Sequence, residues 1–206
     1  MLTATAVLLL TACGSSDSSK SNDKIPGADT SATASAPPSA DVTDSAERPK
    51  VTLPSDVTTM FEDWQTGDAT KDAVLADTSR RINALDYAIT EGNADEPALS
   101  FYYKGSALAG ATNWVKEFVD AKKSMTGETR YFKPRIEVYA KRKAALTYCS
   151  FEGKAYLKDR KTEKSQKTPV TNKSYLLYAT RLEKNSEGVW QTSTLSSERG
   201  STACSP

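Results

Sequence analysis

The hydrophobic pattern of this 206-residue chain changes at Gly127 from the period of a helix to the period of a strand. Before Gly127, apolar residues recur three and four positions apart, and beyond it they alternate with polar residues. A helical layer that precedes a set of antiparallel strands in sequence packs on one face of their sheet. The pattern therefore predicts an α+β domain whose helices come first.

Three helices are predicted before Gly127 from a start signal at residues 54–56 and from helical spacing that glycines interrupt. Their expected bounds are 57–64, then 69–91 with Gly92 as the stop, and then a segment that begins after Pro97, breaks near Gly105 or Gly110, and ends at Gly127. Four strands are predicted after it, at 132–141, 143–158, 174–183 and 189–198. Residues 185–188 have the composition of a hairpin turn, and residues 159–173 form a long, basic, polar loop.

The first thirteen residues are typical of a bacterial lipoprotein signal. An apolar run of about ten residues is too short to span a bilayer, and it ends in Leu10-Thr11-Ala12-Cys13, which predicts cleavage before Cys13 and lipidation of its thiol. No Lys or Arg precedes Val7, which predicts a natural start upstream of Met1. The expected location is the outer face of the cell membrane, with the lipid as anchor.

The composition divides the chain into three parts. Residues 1–12 form the predicted signal peptide, and residues 13–50 form a lipidated tether that is rich in Ser, Ala, Thr and Pro and lacks aromatic residues. Such a segment has too little apolar surface to offset the entropy of ordering it. Residues 51–206 are long enough to build one globular domain with its own core.

The cysteines agree with export. Once Cys13 is assigned to lipid, Cys149 and Cys204 remain as an even pair, which predicts a disulfide in an oxidising compartment. The alternative is two unrelated buried thiols.

A resemblance to a known family rests on four features. They are the element order, residues 144–149 (Ala-Ala-Leu-Thr-Tyr-Cys), residues 188–192 (Gly-Val-Trp-Gln-Thr) and the final Cys204. Together they resemble small exported lipoproteins of actinomycetes, which are similar to the cone-shaped fold of nuclear transport factor 2, scytalone dehydratase and ketosteroid isomerase. The resemblance covers residues 51–204 and implies a curved antiparallel sheet of about four strands and a terminal disulfide. No active-site motif of the family's enzymes maps onto this chain, so the resemblance implies no catalytic residue.

Several chemistries are excluded by the residue types. The chain has no histidine, which removes Ser-His and Cys-His nucleophiles and the common zinc sites. The acidic residues Glu62, Asp63, Asp68, Asp72 and Asp77 lack calcium-loop spacing and are expected on solvated faces and at helix starts. No catalytic residue, metal site or cofactor is assigned, whereas acid–base chemistry by carboxylates and tyrosines stays open.

Aromatic side chains are candidates for a ligand cavity, although most are expected in the core between helices and sheet. The candidates are Tyr102, Tyr103, Trp114, Tyr139, Tyr148, Tyr175, Tyr178 and Trp190. A tyrosine is the likelier residue type at a cavity wall, because its hydroxyl needs a partner when it is buried.

The second half of the domain is basic, with 15 basic and 6 acidic residues over 128–184. Eight of these basic residues are candidates for contact with anionic lipid or envelope polymer, and the alternative is solubilising turns. They are Lys141, Arg142, Lys143, Lys158, Arg160, Lys161, Lys164 and Lys167. Nucleic acid is not an expected partner outside the membrane.

Three functions therefore compete. The leading hypothesis is a non-catalytic lipoprotein that binds an envelope polymer, a small ligand or a neighbouring membrane protein. The second is an isomerase-like or dehydratase-like enzyme that uses a carboxylate and Tyr, which a deep pocket around a carboxylate of raised pKa favours. The third is an accessory domain of a membrane protein, which an exposed apolar patch favours.

Overall fold

The computed structural model describes residues 46–206, so the predicted signal peptide, Cys13 and the tether up to residue 45 lie outside the described residues. The helices are α1 (Ala69–Glu91), α2 (Pro97–Tyr102) and α3 (Gly105–Asp120). The strands are β1 (Val57–Phe61), β2 (Lys123–Ala140), β3 (Lys143–Asp159), β4 (Ser165–Gln166), β5 (Tyr175–Lys184) and β6 (Trp190–Arg199). Within the described part, no helix is both long and apolar enough to cross a membrane.

The six strands form one sheet in the order β1-β2-β3-β5-β6, and β4 pairs with β3 outside this path. β1 runs parallel to β2, whereas the other pairings are antiparallel. The predicted α+β class is confirmed. The expected number of about four strands is too low, because β1 and β4 join the sheet.

The predicted first helix is wrong, because residues 57–61 form β1. Val57 pairs with Gly127 and Phe61 with Tyr131 in the parallel register. This short segment carries both a helical and a strand pattern. Val57, Met60 and Phe61 have helical spacing, whereas every second residue from Val57 to Phe61 lies on the more buried side of the strand. The pairing with β2 decides between them, and it joins residues about seventy positions apart.

The long helix α1 has the predicted bounds because both of its ends are capped. The Asp68 carboxylate accepts hydrogen bonds from the backbone N–H groups of Thr70 and Lys71, both at 2.9 Å. At the other end, Gly92 adopts a left-handed conformation with φ of 70°, which ends the helix.

The predicted third helix is two helices, and it ends earlier than expected. The chain breaks between Tyr102 and Gly105, so the predicted break near Gly105 is confirmed. β2 begins at Lys123 and not at residue 132, so Gly127 lies inside a strand. The expected loop at 159–173 also contains β4.

Two apolar clusters support the fold. One lies among the three helices, around Ala88, Leu99 and Val115. The other lies between α1 and the sheet, around Leu75, Leu146 and Trp190. Cys149 on β3 is bonded to Cys204, which is consistent with the expected pairing and ties the C-terminal tail to the sheet.

Candidate functional site

A cavity of about 710 Å³ lies between α1, α3 and the sheet, a volume typical of small-molecule sites. The register of β2 against β3 shifts at three places, and such bulges bend a strand and increase its twist. On α3, the cavity is lined by Ala107, Gly110, Ala111 and Trp114, which share one helix face. Three of these four residues are small, so this face leaves space where larger side chains would fill it.

The cavity wall is mainly apolar. Leu85 and Ile89 of α1, Phe118 of α3 and Met125 of β2 line it. The side chains of Trp114, Leu157 and Leu195 line it as well, although each is more than one-third exposed to solvent. The cavity therefore opens to solvent beside apolar side chains.

The polar part of the wall centres on Arg81, a buried residue of α1. Its guanidinium donates to the hydroxyl of Tyr103 at 2.8 Å and to the hydroxyl of Tyr148 at 2.6 Å. Its Nε–H is buried and has no hydrogen-bond partner among residues 46–206. A buried polar group without a partner costs free energy, which a hydrogen-bonding ligand recovers.

Asp86 lies on the same helix and also lines the cavity. Its Oδ2 is buried and accepts no hydrogen bond from the part of the chain that the structure describes. Burial raises the pKa of Asp86 to about 7, the negative charge of Glu152 adds to this effect, and the positive charge of Arg81 opposes it. Near neutral pH this carboxyl group therefore exchanges a proton readily.

A second polar group lies at the part of the cavity that is nearer to solvent. The Glu152 carboxylate accepts from the Tyr178 hydroxyl at 3.3 Å and from the Arg199 guanidinium at 2.8 Å. Arg199 also donates to the backbone carbonyl of Lys173 at 2.9 Å. These contacts hold the loop before β5 against β6.

Tyrosine side chains continue the polar wall along the sheet. The rings of Tyr148 and Tyr178 stack with centroids 5.0 Å apart, and Tyr131 lies 6.1 Å from Tyr148. Burial raises the pKa of Tyr131 and of Tyr178 well above the usual value, so both phenols stay neutral. Tyr131 and Tyr178 therefore line the cavity as neutral phenols, as do Tyr103 and Tyr148, whose pKa burial also raises.

The aromatic candidates from the sequence divide between cavity and core. Tyr103, Trp114, Tyr148 and Tyr178 line the cavity. Tyr102 and Trp190 are buried in the two apolar clusters, Tyr139 is largely exposed, and Tyr175 packs against Phe151.

The charged residues of the cavity wall, among them Arg81, Asp86 and Glu152, were not predicted from the sequence. A signal for two of them is present, because Arg81 and Asp86 interrupt the apolar face of α1 next to Ile82 and Leu85. A charged residue inside a core-facing stripe is expensive to bury, so it marks either an ion pair or a site.

The eight basic candidates do not form one surface. Lys141, Arg142 and Lys143 lie at one end of β3, and the group from Lys158 to Lys167 lies at the other. The 17 residues of β3 span roughly 55 Å when extended.

Three of the basic residues have structural partners in the described part of the chain. The Arg142 guanidinium donates to the backbone carbonyl of Lys184 at 2.7 Å. The Lys158 ammonium pairs with Asp56 and Glu163, and the Arg160 guanidinium donates to the backbone carbonyls of Ile89 and Thr90. Arg160 therefore satisfies the C-terminal end of α1, where a cation is favourable.

The acidic residues named in the sequence analysis do not converge either. Asp68 caps α1, Asp72 accepts from the backbone of Thr66 and Gly67, and Asp77 is buried in an ion-pair cluster. Among residues 46–206, no group of three or more metal-ligating side chains is arranged to hold a metal ion.

The effect of Asp86→Asn on the free energy of unfolding is expected to depend on pH. The pKa of Asp86 is about 7 in the folded state and near 3.8 when exposed, so the folded state binds more protons between these values. The contribution of Asp86 to stability is therefore complete below pH 4 and is lost as pH rises through 7. At pH 8.5, Asp86→Asn is expected to be more stable than the wild type by about 1–3 kcal/mol, allowing for water in the cavity.

Urea unfolding at pH 5 and pH 8.5 measures this effect. At pH 5 the two proteins are expected to have similar free energies of unfolding, because Asn resembles the protonated acid. Asp120→Asn, at the exposed end of α3, is the control and is expected to leave the pH profile unchanged. Parallel profiles for the wild type and Asp86→Asn would show that Asp86 titrates normally.

Comparisons with known proteins leave the family open. No protein-family model matches the chain, and no curated protein is similar to it. The intermembrane-space region of the chloroplast protein ARC6 matches with 15% identity and a TM-score of 0.41, over 66% of this chain and 99% of that one. A protein from Catenulispora acidiphila matches with 10% identity and a TM-score of 0.44, over 64% and 95%. A candidate ketosteroid isomerase from Shewanella frigidimarina matches with 12% identity and a TM-score of 0.32, over 67% and 99%. TM-scores this low do not establish a shared fold, so the functional argument rests on the chemistry of the cavity.

Proposed function

We propose that this protein binds a small, mainly apolar molecule in the cavity between its helices and sheet. The observation that carries the proposal is an apolar wall that ends at buried polar atoms without partners, the Arg81 Nε–H and the Asp86 Oδ2. Apolar walls supply affinity, and a few convergent polar groups fix the orientation of a ligand.

The same proposal places the binding domain on the outer face of the cell membrane. Its support is the sequence Leu10-Thr11-Ala12-Cys13 and the polar segment that follows it. A flexible tether over residues 14–45, which their composition predicts, would hold the domain roughly 28–34 Å from its anchor on average. A domain at this distance can bind a molecule that is present at, or released from, the membrane surface.

A cavity-filling substitution tests ligand binding. Gly110 lines the cavity, and a Cβ atom there would have no atom within 4 Å, so Gly110→Phe is expected to place its ring in open space. The fluorescence of an amphipathic reporter with a large aromatic body, such as 1-anilinonaphthalene-8-sulfonate, is measured with the full chain carrying Cys13→Ser. We expect Gly110→Phe to weaken reporter binding by tenfold or more, on the order of the transfer energy of a few methylene groups.

Asn113→Phe is the matched control, because Asn113 is exposed on the same helix and does not line the cavity. It adds the same ring and is expected to leave reporter affinity unchanged. Equal affinities for the wild type and Gly110→Phe would contradict binding in this cavity.

A second candidate function is acid–base catalysis, such as isomerisation or dehydration, by Asp86 with neighbouring tyrosines. The observation that favours it is a cavity carboxyl group with a pKa of about 7. Such a group can accept and return a proton at neutral pH. Exchange of the α-hydrogens of a bound ketone in deuterated water tests this function, and the exchange is expected to be lost in Asp86→Asn.

A further inference from the structure

We infer that the ligand is an amphipathic carboxylate, held at its anionic end by Arg81, Tyr103 and Tyr148, and that Asp86 takes up a proton when the anion binds. The inference rests on the proposed function and adds the chemical class of the ligand and the regulation of its binding.

The buried charge of Arg81 favours an anionic ligand. Its guanidinium is buried, and its two hydrogen-bond partners are neutral phenols. In the described part of the chain, no carboxylate oxygen lies within ion-pair distance of Arg81. Asp77, one turn earlier on α1, is instead paired with both Arg48 and Arg80. Burial of a cation without an ion-pair partner costs several kcal/mol, and the nearby Asp86 offsets this cost only in its ionised form. An anion in the cavity therefore stabilises this arrangement when Asp86 is protonated.

The direction of the hydrogen bonds between Arg81 and the two tyrosines favours an acceptor on the ligand. A phenol oxygen that accepts from a guanidinium turns its own proton elsewhere, and the described residues provide no acceptor for the protons of Tyr103 or Tyr148. Together with the Nε–H of Arg81, the wall presents hydrogen-bond donors. A group that satisfies them must be an acceptor, and charged acceptors bind such donors most strongly.

The apolar part of the cavity wall indicates the shape of the ligand. The surfaces next to Arg81 are apolar, with Leu85 and Ile89 on one side and Ala107 and Ala111 on the other. The exposed apolar residues Trp114 and Leu157 continue this wall towards solvent. A molecule with one anionic end and an apolar body, such as a fatty acid, fits both parts of the cavity.

Binding of the anion is coupled to protonation of Asp86. Asp86 is turned towards the same cavity, so a bound carboxylate adds a second negative charge near it and favours its protonated form. The groups that face the cavity around Asp86 come from every element packed there. They are Arg81 of α1, Tyr103 before α3, Tyr131 of β2, Tyr148, Glu152 and Tyr156 of β3, Lys173 before β5, Tyr178 of β5 and Arg199 of β6. Burial raises the pKa of Asp86 to about 7, so affinity for the anion is expected to fall as pH rises above 7.

Three ligands that differ only at the head group test the inference. Dodecanoate, 1-dodecanol and dodecylamine are titrated calorimetrically into the full chain carrying Cys13→Ser at pH 6. We expect dodecanoate to bind roughly 10- to 100-fold more tightly than the alcohol, because it makes charge-assisted hydrogen bonds. We expect Tyr148→Phe and Arg81→Met each to reduce this preference, while Lys116→Met, at an exposed residue of α3 outside the cavity, leaves it unchanged.

Proton uptake is measured by repeating the dodecanoate titration in two buffers of different ionisation enthalpy. Uptake of up to one proton is expected near pH 7, and Asp86→Asn is expected to abolish it. Equal binding of all three ligands, or preference for the amine, would contradict a carboxylate ligand. The cavity would still be a binding site. Absence of binding by all three, together with no effect of Gly110→Phe on the reporter, would instead contradict the proposed function itself.

Discussion

Replacing Gly127 with alanine is expected to lower the free energy of unfolding by roughly 3–5 kcal/mol, from backbone strain and overpacking together. Gly127 lies inside β2 with φ of 98°, a conformation that residues with a side chain rarely adopt. A Cβ atom there would collide with the Lys154 carbonyl oxygen and lie 3.1 Å from its carbonyl carbon. Because both contacts are with backbone of β3, the side chain cannot escape by changing rotamer.

The effect extends to β1, because Gly127 pairs with Val57 and donates its N–H to the Asp56 carbonyl at 2.7 Å. A shift of β2 away from β3 would disturb this parallel pairing. Chemical unfolding in urea measures the loss.

Gly67→Ala is the matched control for Gly127→Ala. Gly67 also has a positive φ, 81°, but a Cβ atom there would meet no atom within 4 Å. It therefore isolates the backbone strain, about 1–2 kcal/mol. If the free energy of unfolding falls equally in both variants, the close approach of β3 at Gly127 does not contribute to the loss.

Gly127 also shows where sequence reasoning reaches its limit. A glycine after an apolar helical stripe is a common helix stop, and the sequence analysis placed the end of the third helix there. The helix ends at Asp120, and the glycine serves a close contact between strands. The glycine does mark a special backbone position, but the reason for it is the close approach of β3, more than twenty residues further along the chain.

Local signals predicted the elements that local interactions stabilise. The bounds of α1 follow from Asp68 and Gly92, which cap it from within the adjacent sequence. The long antiparallel strand β3 was predicted to within one residue of its bounds, and its first half alternates between buried and more exposed side chains. In contrast, β1 depends on its pairing with β2, which the spacing of five residues cannot specify.

The cavity was predictable only in part. Tyrosines were named as the residue type most suited to a cavity wall, and Tyr103, Tyr148 and Tyr178 do line it. The space itself comes from the small face of α3 opposite the sheet, a relation between distant elements. Arg81 and Asp86 gain their chemistry from burial, which residue spacing does not reveal.

Removal of the Asp77 carboxylate is the second large loss of stability that we expect. Asp77 is almost fully buried on α1, and its Oδ1 accepts from Arg48 at 3.0 Å and from Arg80 at 2.9 Å. Its Oδ2 accepts the backbone N–H of Trp190 at 2.9 Å. One side chain thereby joins the start of the domain, α1 and the first residue of β6.

Asp77→Ala is expected to cost about 3–5 kcal/mol, because the Trp190 N–H loses its acceptor in the core and the Arg48 guanidinium loses its carboxylate. Asp77→Asn is expected to cost less, since the amide oxygen can still accept from Trp190. Arg80→Ala is the control, because the Arg80 side chain is 45% exposed and such a pair contributes at most about 1 kcal/mol.

Limited proteolysis adds a local measurement to the unfolding experiment on Asp77. Arg48 lies just before the globular domain, so the buried ion pair fixes the point at which the predicted tether joins it. Asp77→Ala is expected to be cleaved near residues 46–50 under conditions in which Arg80→Ala resists. If Asp77→Ala and Arg80→Ala lose equal stability, the exposed pair carries the energy and the buried contacts to Arg48 and Trp190 do not. If cleavage near 46–50 is unchanged in Asp77→Ala, other contacts fix the start of the domain.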